Sequence, residues 1–392
     1  MQFQLTDVQK SLRSEVRSFA RNEIAPVAAQ YDREGTYPEE ILNDLGDRGY
    51  AGLTLSEEYG GQGAGMVELA ILIEELAAEM MPVASALALH LGVATVVERF
   101  GSSQLKSEFL PEMARFDTVG ALGLSEGDAG SDKHAMETTA ERTTAGEDSE
   151  TLSAEASRDG DEWVLAGHKQ WVTNFLDADV VLTYAKTGPD ADAPDNISAF
   201  LVPAEAFEVD HVWDTLGARS VKTAKVTLSD VRVPDTHRVG EVGRAYRERQ
   251  QVATGVNVPA RAVGLARAAV ADAVEYTGER EQFGQAIGDF QGVRWTVADM
   301  TARVDAARLL TLRAADRIDR GLDANRERHM AKVYATETAV DVTNDALQLH
   351  GGVGYTAAHD VERYLRDARL LTIAGGPNEL HRDGLADAVY ES

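Results

Sequence analysis

The segment from Arg366 to Arg382 reads RDARLLTIAGGPNELHR. A charged start is followed by an apolar stretch and then by Gly375-Gly376-Pro377, and Glu379 is the next acidic residue. Glycine has no side chain and cannot take up a proton, and proline lacks the backbone N–H. The three residues at the centre of this segment therefore cannot supply a general base.

Length and composition limit the class of protein. With 392 residues the chain can bury a substantial core and form two or three structural units. Its first residues, MQFQLTDVQK, lack the basic start and apolar run of a secretory signal. No uninterrupted apolar segment approaches the roughly 18 residues that would indicate a membrane span. The chain has no cysteine, which excludes disulfides and thiolate catalysis, and its isolated histidines show no metal-ligand spacing. We expect a soluble cytoplasmic protein without a metal.

The charge balance is strongly acidic. There are 65 acidic and 38 basic residues, a net charge of −27, and only 8 of the basic residues are lysine. Such a charge repels nucleic acids and anionic membrane surfaces, so neither is an expected partner. A generic solubilising surface would explain the acidity, but scarce lysine and abundant arginine favour adaptation to a high-salt cytoplasm, where ions screen the self-repulsion.

The pattern of elements changes twice along the chain. The first third is helical, with a capping box at Thr6 and Gln9 and two apolar helices near Leu69–Leu76 and Leu87–Phe100. Helical spacing returns after about residue 240. We predict an N-terminal helical domain over 1–118, a middle β-domain over 119–237 and a C-terminal helical domain over 238–392.

The middle third is rich in β-forming residues separated by Gly, Pro and Asp. An acidic, polar stretch from Thr143 to Asp161 interrupts it, and we predict an exposed hairpin extension or loop there. The predicted strands include Glu162–Leu165, Val180–Ala185, Ile197–Val202 and Ala224–Leu228.

Two segments of the middle third have compositions suited to ligand binding. Leu122–Asp132 reads LGLSEGDAGSD, which is typical of a tight surface loop. Such a loop can also present backbone N–H groups and hydroxyls to a phosphate-bearing ligand. Gly167–Asn174 reads GHKQWVTN, a pattern typical of a half-buried strand. The two-residue offset predicts that Trp171 and Thr173 lie on the same face of that strand.

Two further segments lie in the C-terminal third. Gly278–Gly284 reads GEREQFG, as a charged helix end would, but Arg280 within it also suits phosphate because its fork of donors stays charged. Gln348–Tyr355 reads QLHGGVGY, and a glycine cluster after a helix is most often only a C-cap. Four such segments in a fixed order indicate a protein family more strongly than any one of them does.

Together with the C-terminal segment quoted first, they resemble the acyl-CoA dehydrogenase family. Leu122–Asp132 is similar to the family's flavin loop, commonly written with Thr-Glu-Pro and Ala-Gly-Ser-Asp. Here Ser125 keeps the hydroxyl and Gly127 replaces the proline. The resemblance covers almost the whole chain. It implies FAD as cofactor and an α+β fold with an N-terminal helical domain, a middle β-domain and a C-terminal domain like a four-helix bundle.

The resemblance also implies roles in FAD binding. The family's counterpart of Trp171 packs on the flavin and that of Thr173 hydrogen-bonds its ring system. The counterparts of Arg280 and Gln348 serve the flavin of a neighbouring subunit, which implies a homotetramer or heterotetramer. His350 matches a variable position, so we interpret it as structural or solvated. The implied cofactor-binding residues are Leu122, Leu124, Ser125, Gly130, Ser131, Trp171, Thr173, Arg280, Phe283, Gln291, Gln348, Gly351 and Gly352.

The family's catalytic base has no counterpart in this alignment. A glutamate normally removes the substrate's α-proton, and its position is occupied by Gly375. Some members place the glutamate on an earlier helix, and there the matching residue is Thr254, a very weak base. Glu248 and Glu379 are the two alternatives, each of which requires a shift from the ungapped alignment. Pro377 replaces a residue that usually contacts FAD through a hydroxyl.

We therefore keep three hypotheses about function. The first is an FAD-dependent acyl-CoA dehydrogenase with a relocated base, which forms a 2,3-enoyl-CoA in fatty acid metabolism and passes electrons to an electron-transfer flavoprotein. The second is a subunit that binds FAD or completes a partner's site without dehydrogenating. The third is a different flavin reaction on the same scaffold.

Overall fold

The computed structural model describes residues 4–132, 135–143, 162–187, 196–246, 248 and 255–391. Helices come first, strands follow and helices return, which confirms the predicted α+β order. Within these residues the helices are α1 (Asp7–Phe19), α2 (Ala25–Glu34), α3 (Glu39–Asp47), α4 (Met66–Phe100), α5 (Ser103–Arg115), α6 (Asn257–Glu279), α7 (Gln291–Asp319), α8 (Asn325–His350), α9 (Val361–Leu371) and α10 (Asn378–Tyr390). The strands are β1 (Gly120–Gly123), β2 (Thr139–Thr143), β3 (Glu162–Thr173), β4 (Val180–Lys186), β5 (Ile197–Pro203), β6 (Glu208–Val212), β7 (Thr223–Pro234), β8 (Arg238–Val239), β9 (Glu281–Gln282) and β10 (Gln285–Ala286).

The N-terminal helices pack around α4. The capping box that begins α1 is confirmed: the Gln9 N–H donates to Thr6 Oγ1 at 3.2 Å, and the Thr6 N–H donates to Gln9 Oε1 at 3.0 Å. The two apolar helices predicted here form one 35-residue helix, α4, with a non-helical residue at Met80 just before Pro82. Proline lacks the N–H and crowds the preceding turn, which accounts for the break.

One helix has the length and mean hydropathy of a membrane span, although polar residues interrupt its apolar sequence. Among the described residues, α4 is long enough and apolar enough to cross a membrane by length and composition, and 83% of its most apolar 18-residue stretch is buried inside the protein. The apolar residues of α4 pack against the N-terminal helices, the sheet and α6. Its apolar character therefore matches that of a core helix.

Strands β1 to β8 form one sheet in the order β6-β7-β3-β2-β4-β5-β8, with β1 paired to β4. All four segments predicted as strands lie in it, within β3, β4, β5 and β7. The antiparallel β3–β7 pair has two register shifts, and the second falls between Lys169 and Val172. Residues 144–161, which hold most of the predicted acidic extension, lie outside the described residues.

The C-terminal domain consists of α6 to α10. Small buried side chains such as Ala269 and Ala339 lie where α6, α7 and α8 pack together. Tyr276 near the end of α6 stacks on His350 at the end of α8, with ring centroids 4.4 Å apart. The C-terminal ends of these two helices therefore lie at the same end of the domain.

Candidate active site

A buried ion pair fixes the loop after β1 to β3. Lys169 Nζ lies 2.6 Å from Glu126 Oε1, and the two side chains are 0% and 7% exposed. Glu126 also accepts the N–H groups of Glu137 and Thr138, at 2.6 and 3.2 Å. Burial alone would raise the pKa of Glu126, but Lys169 and these N–H groups outweigh it and hold the pKa below its usual value. Burial lowers the pKa of Lys169 to about 8, so the pair is charged at neutral pH.

The predicted flavin-loop residues lie on this frame. Leu124 is buried, and Leu122 and Ser125 are half-buried. The Ser125 carbonyl accepts a hydrogen bond from the backbone of β3 at 2.8 Å. Gly130 and Ser131 are exposed, and no atom lies within 4 Å of the place where a Cβ on Gly130 would stand. The loop thus has the open backbone that close approach of a cofactor requires.

Trp171 is held in a strained conformation on the strand. Its φ is +62°, it lies at the irregularity between Lys169 and Val172, and it is 52% exposed. The ring stacks on Trp213 with centroids 4.8 Å apart. Trp171 and Thr173 flank the buried Val172 on the less buried side of β3, as predicted. A bulky residue at positive φ costs about 1–3 kcal/mol, and such strain clusters at functional sites.

Helix α9 positions Trp213. The fully buried Asp367 accepts the Ala218 N–H at 2.6 Å, and burial raises the pKa of this carboxyl to about 6. A Cβ on Gly217 would stand 2.5 Å from the Arg366 carbonyl oxygen, so only glycine fits there. These contacts anchor the segment between β6 and β7, which carries Trp213.

The remaining predicted FAD residues lie at the end of the C-terminal domain where α6 and α8 terminate. All of them are exposed, Phe283 at 93% with φ +55°. No atom lies within 4 Å of a Cβ placed on Gly351 or Gly352. His350 beside them is buried and donates from Nδ1 to the Ala346 carbonyl at 2.8 Å, which confirms a structural role. The exposed residues are Arg280, Phe283, Gln291, Gln348, Gly351 and Gly352.

The loop at the predicted base position is shaped around glycine. Gly375 and Gly376 have φ of +71° and +95°, in the region that favours glycine. A Cβ on Gly375 would stand 2.9 Å from Val258 Cγ2, at the start of α6. Lys332 Nζ donates to the Gly376 carbonyl at 2.6 Å and to Asn378 Oδ1 at 2.7 Å. A side chain at position 375 would be strained at this φ and would require the Val258 side chain to move.

The carboxylates named as alternative bases have different surroundings. Glu379 is exposed in the first turn of α10. Burial lowers the pKa of Lys332 to about 8 and the charge of Glu379 opposes that shift, so Glu379 lies near the lysine that holds the loop. Glu248 accepts the Glu241 N–H at 3.4 Å, next to β8, and burial raises its pKa. Thr254 lies outside the described residues.

Two histidines support the glycine loop. His381 Nε2 lies 3.0 Å from the Gly375 carbonyl and must donate to it, so His381 Nδ1 accepts the proton of His329 Nδ1, also at 3.0 Å. Burial lowers the pKa of His381 to about 4, which keeps the imidazole neutral. In the part of the chain that the structure describes, no group of three or more His, Asp or Glu side chains could hold a metal ion.

Sequence reasoning missed two features of the site. One is the Glu126–Lys169 pair, whose members are 43 positions apart in the sequence. The other is Arg261 on α6, which is 7% exposed, and burial lowers its pKa to about 10. The available signal for Arg261 was a single arginine within an apolar run of α6, VPARAVGLA.

Comparison with known proteins gives one consistent result. Family models match for the acyl-CoA dehydrogenase N-terminal domain over residues 6–117, the middle domain over 121–231 and the C-terminal domain over 253–390. The chain is 35% identical to the probable acyl-CoA dehydrogenase YngJ of Bacillus subtilis over 97% of this chain and 98% of that protein.

Solved structures agree with the family models. Butyryl-CoA dehydrogenase from Megasphaera elsdenii superimposes with a TM-score of 0.92 at 30% identity, over the full length of both chains. A chain in the structure of the electron transferring flavoprotein of Acidaminococcus fermentans also superimposes with a TM-score of 0.92, at 31% identity and over the full length of both chains. The predicted three-domain fold is thereby confirmed, and the chain belongs to the acyl-CoA dehydrogenase family.

Proposed function

We propose that this protein is an FAD-dependent acyl-CoA dehydrogenase that oxidises an acyl thioester to the 2,3-enoyl thioester. Members of its family are oxidoreductases that bind FAD. The observation that carries the proposal is the strained, half-exposed Trp171 on the bulge of β3, beside a loop fixed by a buried ion pair. The strained backbone and the buried ion pair thus lie in the two segments that the resemblance assigns to flavin binding.

The described residues fit FAD. Open glycine backbone at Gly130 admits close approach of the cofactor, and Trp171 offers an aromatic face. We assign to FAD binding the thirteen residues that the resemblance implies, those at the end of the C-terminal domain toward the cofactor of a partner subunit. Their exposure in one protomer supports this division, because residues that serve a neighbour must face outward. FAD, when bound, would accept the hydride from the substrate's β-carbon.

The α-proton requires an acceptor from this chain. Gly375 has none, and the contacts of Glu248 are with the Glu241 backbone rather than with the glycine loop. Glu379 lies four residues beyond Gly375 and near Lys332, whose ammonium donates to the Gly376 carbonyl of that loop. We propose Glu379 as the relocated base, acting directly or through one water molecule.

A second candidate is a subunit that binds FAD without dehydrogenating. The observation that favours it is the glycine loop itself, since its positive φ angles and the closeness of Val258 to a Cβ at position 375 disfavour the usual glutamate. In that case a partner chain of a heterotetramer would carry the reaction.

The cellular setting completes the proposal. We propose a tetramer in the cytoplasm of a cell with high internal salt, with an electron-transfer flavoprotein as electron acceptor. The net charge of −27 supports the high-salt setting. The structural similarity to a chain in the electron transferring flavoprotein structure of Acidaminococcus fermentans supports the choice of acceptor.

Turnover with an artificial electron acceptor, followed by mass spectrometry of the thioester, tests the proposal. The wild-type protein should form 2,3-enoyl-CoA, and Glu379→Gln should lower kcat by roughly 10²- to 10⁴-fold, as loss of a general base does. Glu391→Gln, at an exposed carboxylate beyond α10, is the matched control and should retain activity. Enoyl-CoA formation that survives Glu379→Gln would reject that base, and no product from any acyl-CoA would favour the second candidate.

A further inference from the structure

Arg261 is a buried cation without an anion. It is 7% exposed and lies on α6. Its Nη1 donates to Ser85 Oγ at 2.6 Å and its Nη2 to Asn257 Oδ1 at 3.3 Å, while Nε is buried without a hydrogen-bond partner. No carboxylate of the described residues lies within ion-pair distance of this guanidinium.

Two other arginines, the buried Arg363 and the half-buried Arg366, do have such partners. Arg363, 3% exposed, lies 3.0 Å from Asp360. Arg366 lies 2.6 Å from both Asp32 and Glu362. A charge is rarely buried unless it is paired, because the loss of hydration is not otherwise offset. The exception at Arg261 therefore suggests a counter-ion that arrives from outside the chain.

The local field strengthens this argument. Arg261 is the fifth residue of α6, near the helix end whose partial charge is positive. Lys332 is also buried, and the charge of Arg261 contributes to the lowering of its pKa. The electrostatic environment of Arg261 thus favours an anion between α4, which carries Ser85, and α6.

The position of Arg261 relates this anion site to the candidate active site. Val258 and Arg261 are three residues apart on α6, so their side chains lie on neighbouring turns of one helix face. Val258 Cγ2 is the atom 2.9 Å from the place where a Cβ on Gly375 would stand. Arg261 therefore lies about one helical turn, roughly 5 Å along α6, beyond the residue of that helix nearest to Gly375, the predicted base position.

We propose that Arg261 binds a carboxylate carried by the acyl part of the substrate, so that the preferred substrates are ω-carboxyacyl thioesters. This inference rests on the proposed acyl-CoA dehydrogenase function. The guanidinium fork matches a carboxylate in two parallel hydrogen bonds, and the unpartnered Nε can supply one of them. Ser85 keeps its hydroxyl proton while it accepts from Nη1, so it can donate to the same anion.

Binding to the oxidised, FAD-loaded protein tests the proposal without turnover. Dissociation constants are measured by calorimetry for matched pairs of equal carbon number, glutaryl-CoA against pentanoyl-CoA and adipoyl-CoA against hexanoyl-CoA. At least one ω-carboxy member should bind roughly tenfold to a hundredfold more tightly than its partner, as expected for a charge-assisted hydrogen bond. Arg261→Gln should abolish that preference and leave the affinity for the unsubstituted thioesters within about threefold.

Controls separate a specific contact from a general charge effect. Arg261→Lys should retain part of the preference, and Arg33→Gln, which removes the same charge from an exposed position, should retain all of it. Equal binding of both members of each pair by the wild-type protein would overturn the proposal even if Arg261→Gln does not fold. It would also be overturned if the preference persisted in Arg261→Gln.

Three further outcomes separate this inference from the proposed function and from a role of Arg261 in cofactor binding. Loss of FAD from Arg261→Gln at unchanged stability would assign the guanidinium to a cofactor phosphate and overturn the proposal. Tight, Arg261-dependent binding of glutaryl-CoA or adipoyl-CoA without flavin reduction would support it while rejecting the dehydrogenase. Flavin reduction with equal binding of the paired thioesters would support the dehydrogenase and reject the role of Arg261.

Discussion

We predict that Lys169→Met destabilises the protein by about 3 kcal/mol. The substitution removes the ammonium 2.6 Å from Glu126 and leaves that carboxylate buried. Breaking a buried pair costs roughly 3–5 kcal/mol. Glu126 keeps backbone N–H donors at 2.6 and 3.2 Å, so we place the cost at the lower end of this range. Methionine fills most of the space of the lysine stem, so a cavity adds little.

Urea unfolding of the FAD-loaded protein measures this cost as a lower midpoint at unchanged slope. The matched control is Arg115→Met, which breaks an ion pair with Asp117 of nearly the same length, 2.7 Å, whose side chains are 59% and 57% exposed. That loss should stay below about 1 kcal/mol and shrink further in high salt, because exposed pairs are screened. The loss for Lys169→Met should be nearly independent of salt.

The double variant Glu126→Gln with Lys169→Met tests the coupling. Its cost should be smaller than the sum of the two single costs, because it leaves no buried charge without a partner. The reasoning is refuted if Lys169→Met costs less than about 1 kcal/mol, or if the two single costs add.

Three further predictions concern other parts of the molecule. Burial lowers the pKa of His90 from 6.5 to about 4. Between pH 6.5 and pH 4 the unfolded chain therefore binds a proton that the folded chain does not, and the free energy of unfolding should fall by roughly 3 kcal/mol as the pH drops through this range. His90→Gln should flatten that slope in urea unfolding at several pH values; an unchanged slope would contradict it. Asp367→Ala leaves the buried N–H of Ala218 unpaired and should destabilise the protein by about 1–3 kcal/mol. Altered tryptophan fluorescence is a second readout; unchanged stability and fluorescence would disprove the anchoring role. Gly375→Ala should cost about 1–3 kcal/mol at φ +71°, whereas Gly292→Ala, in a helix and with open space around it, should not destabilise the protein; equal thermal midpoints would show that the loop is not shaped around glycine.

The sequence predicted the order and type of the elements well, because the hydrophobic period is set by local geometry. The capping box at Thr6 shows this for helices, and the strand predicted from Val180 shows it for the sheet. The prediction for the apolar part of α4 was less accurate. There the tertiary core joins two helical segments across Pro82, and no local pattern shows how completely the helix is buried.

The candidate site was predictable only in part. The flavin loop and Trp171 carry recognisable sequence patterns, but the positive φ of Trp171 depends on a register shift against β7. The Glu126–Lys169 pair and the unpaired Arg261 are products of tertiary packing. A sequence gives residue types at each position, whereas burial of a charge and its partner depend on segments distant in the chain.

Anaerobic mixing of the FAD-loaded protein with acyl-CoA thioesters, in high salt, tests the central claim most directly. The long-wavelength flavin absorbance is followed within a single turnover, and the thioester is analysed afterwards. The account predicts bleaching together with one equivalent of 2,3-enoyl-CoA per flavin. Retained FAD without bleaching by any unsubstituted or ω-carboxy thioester would contradict it.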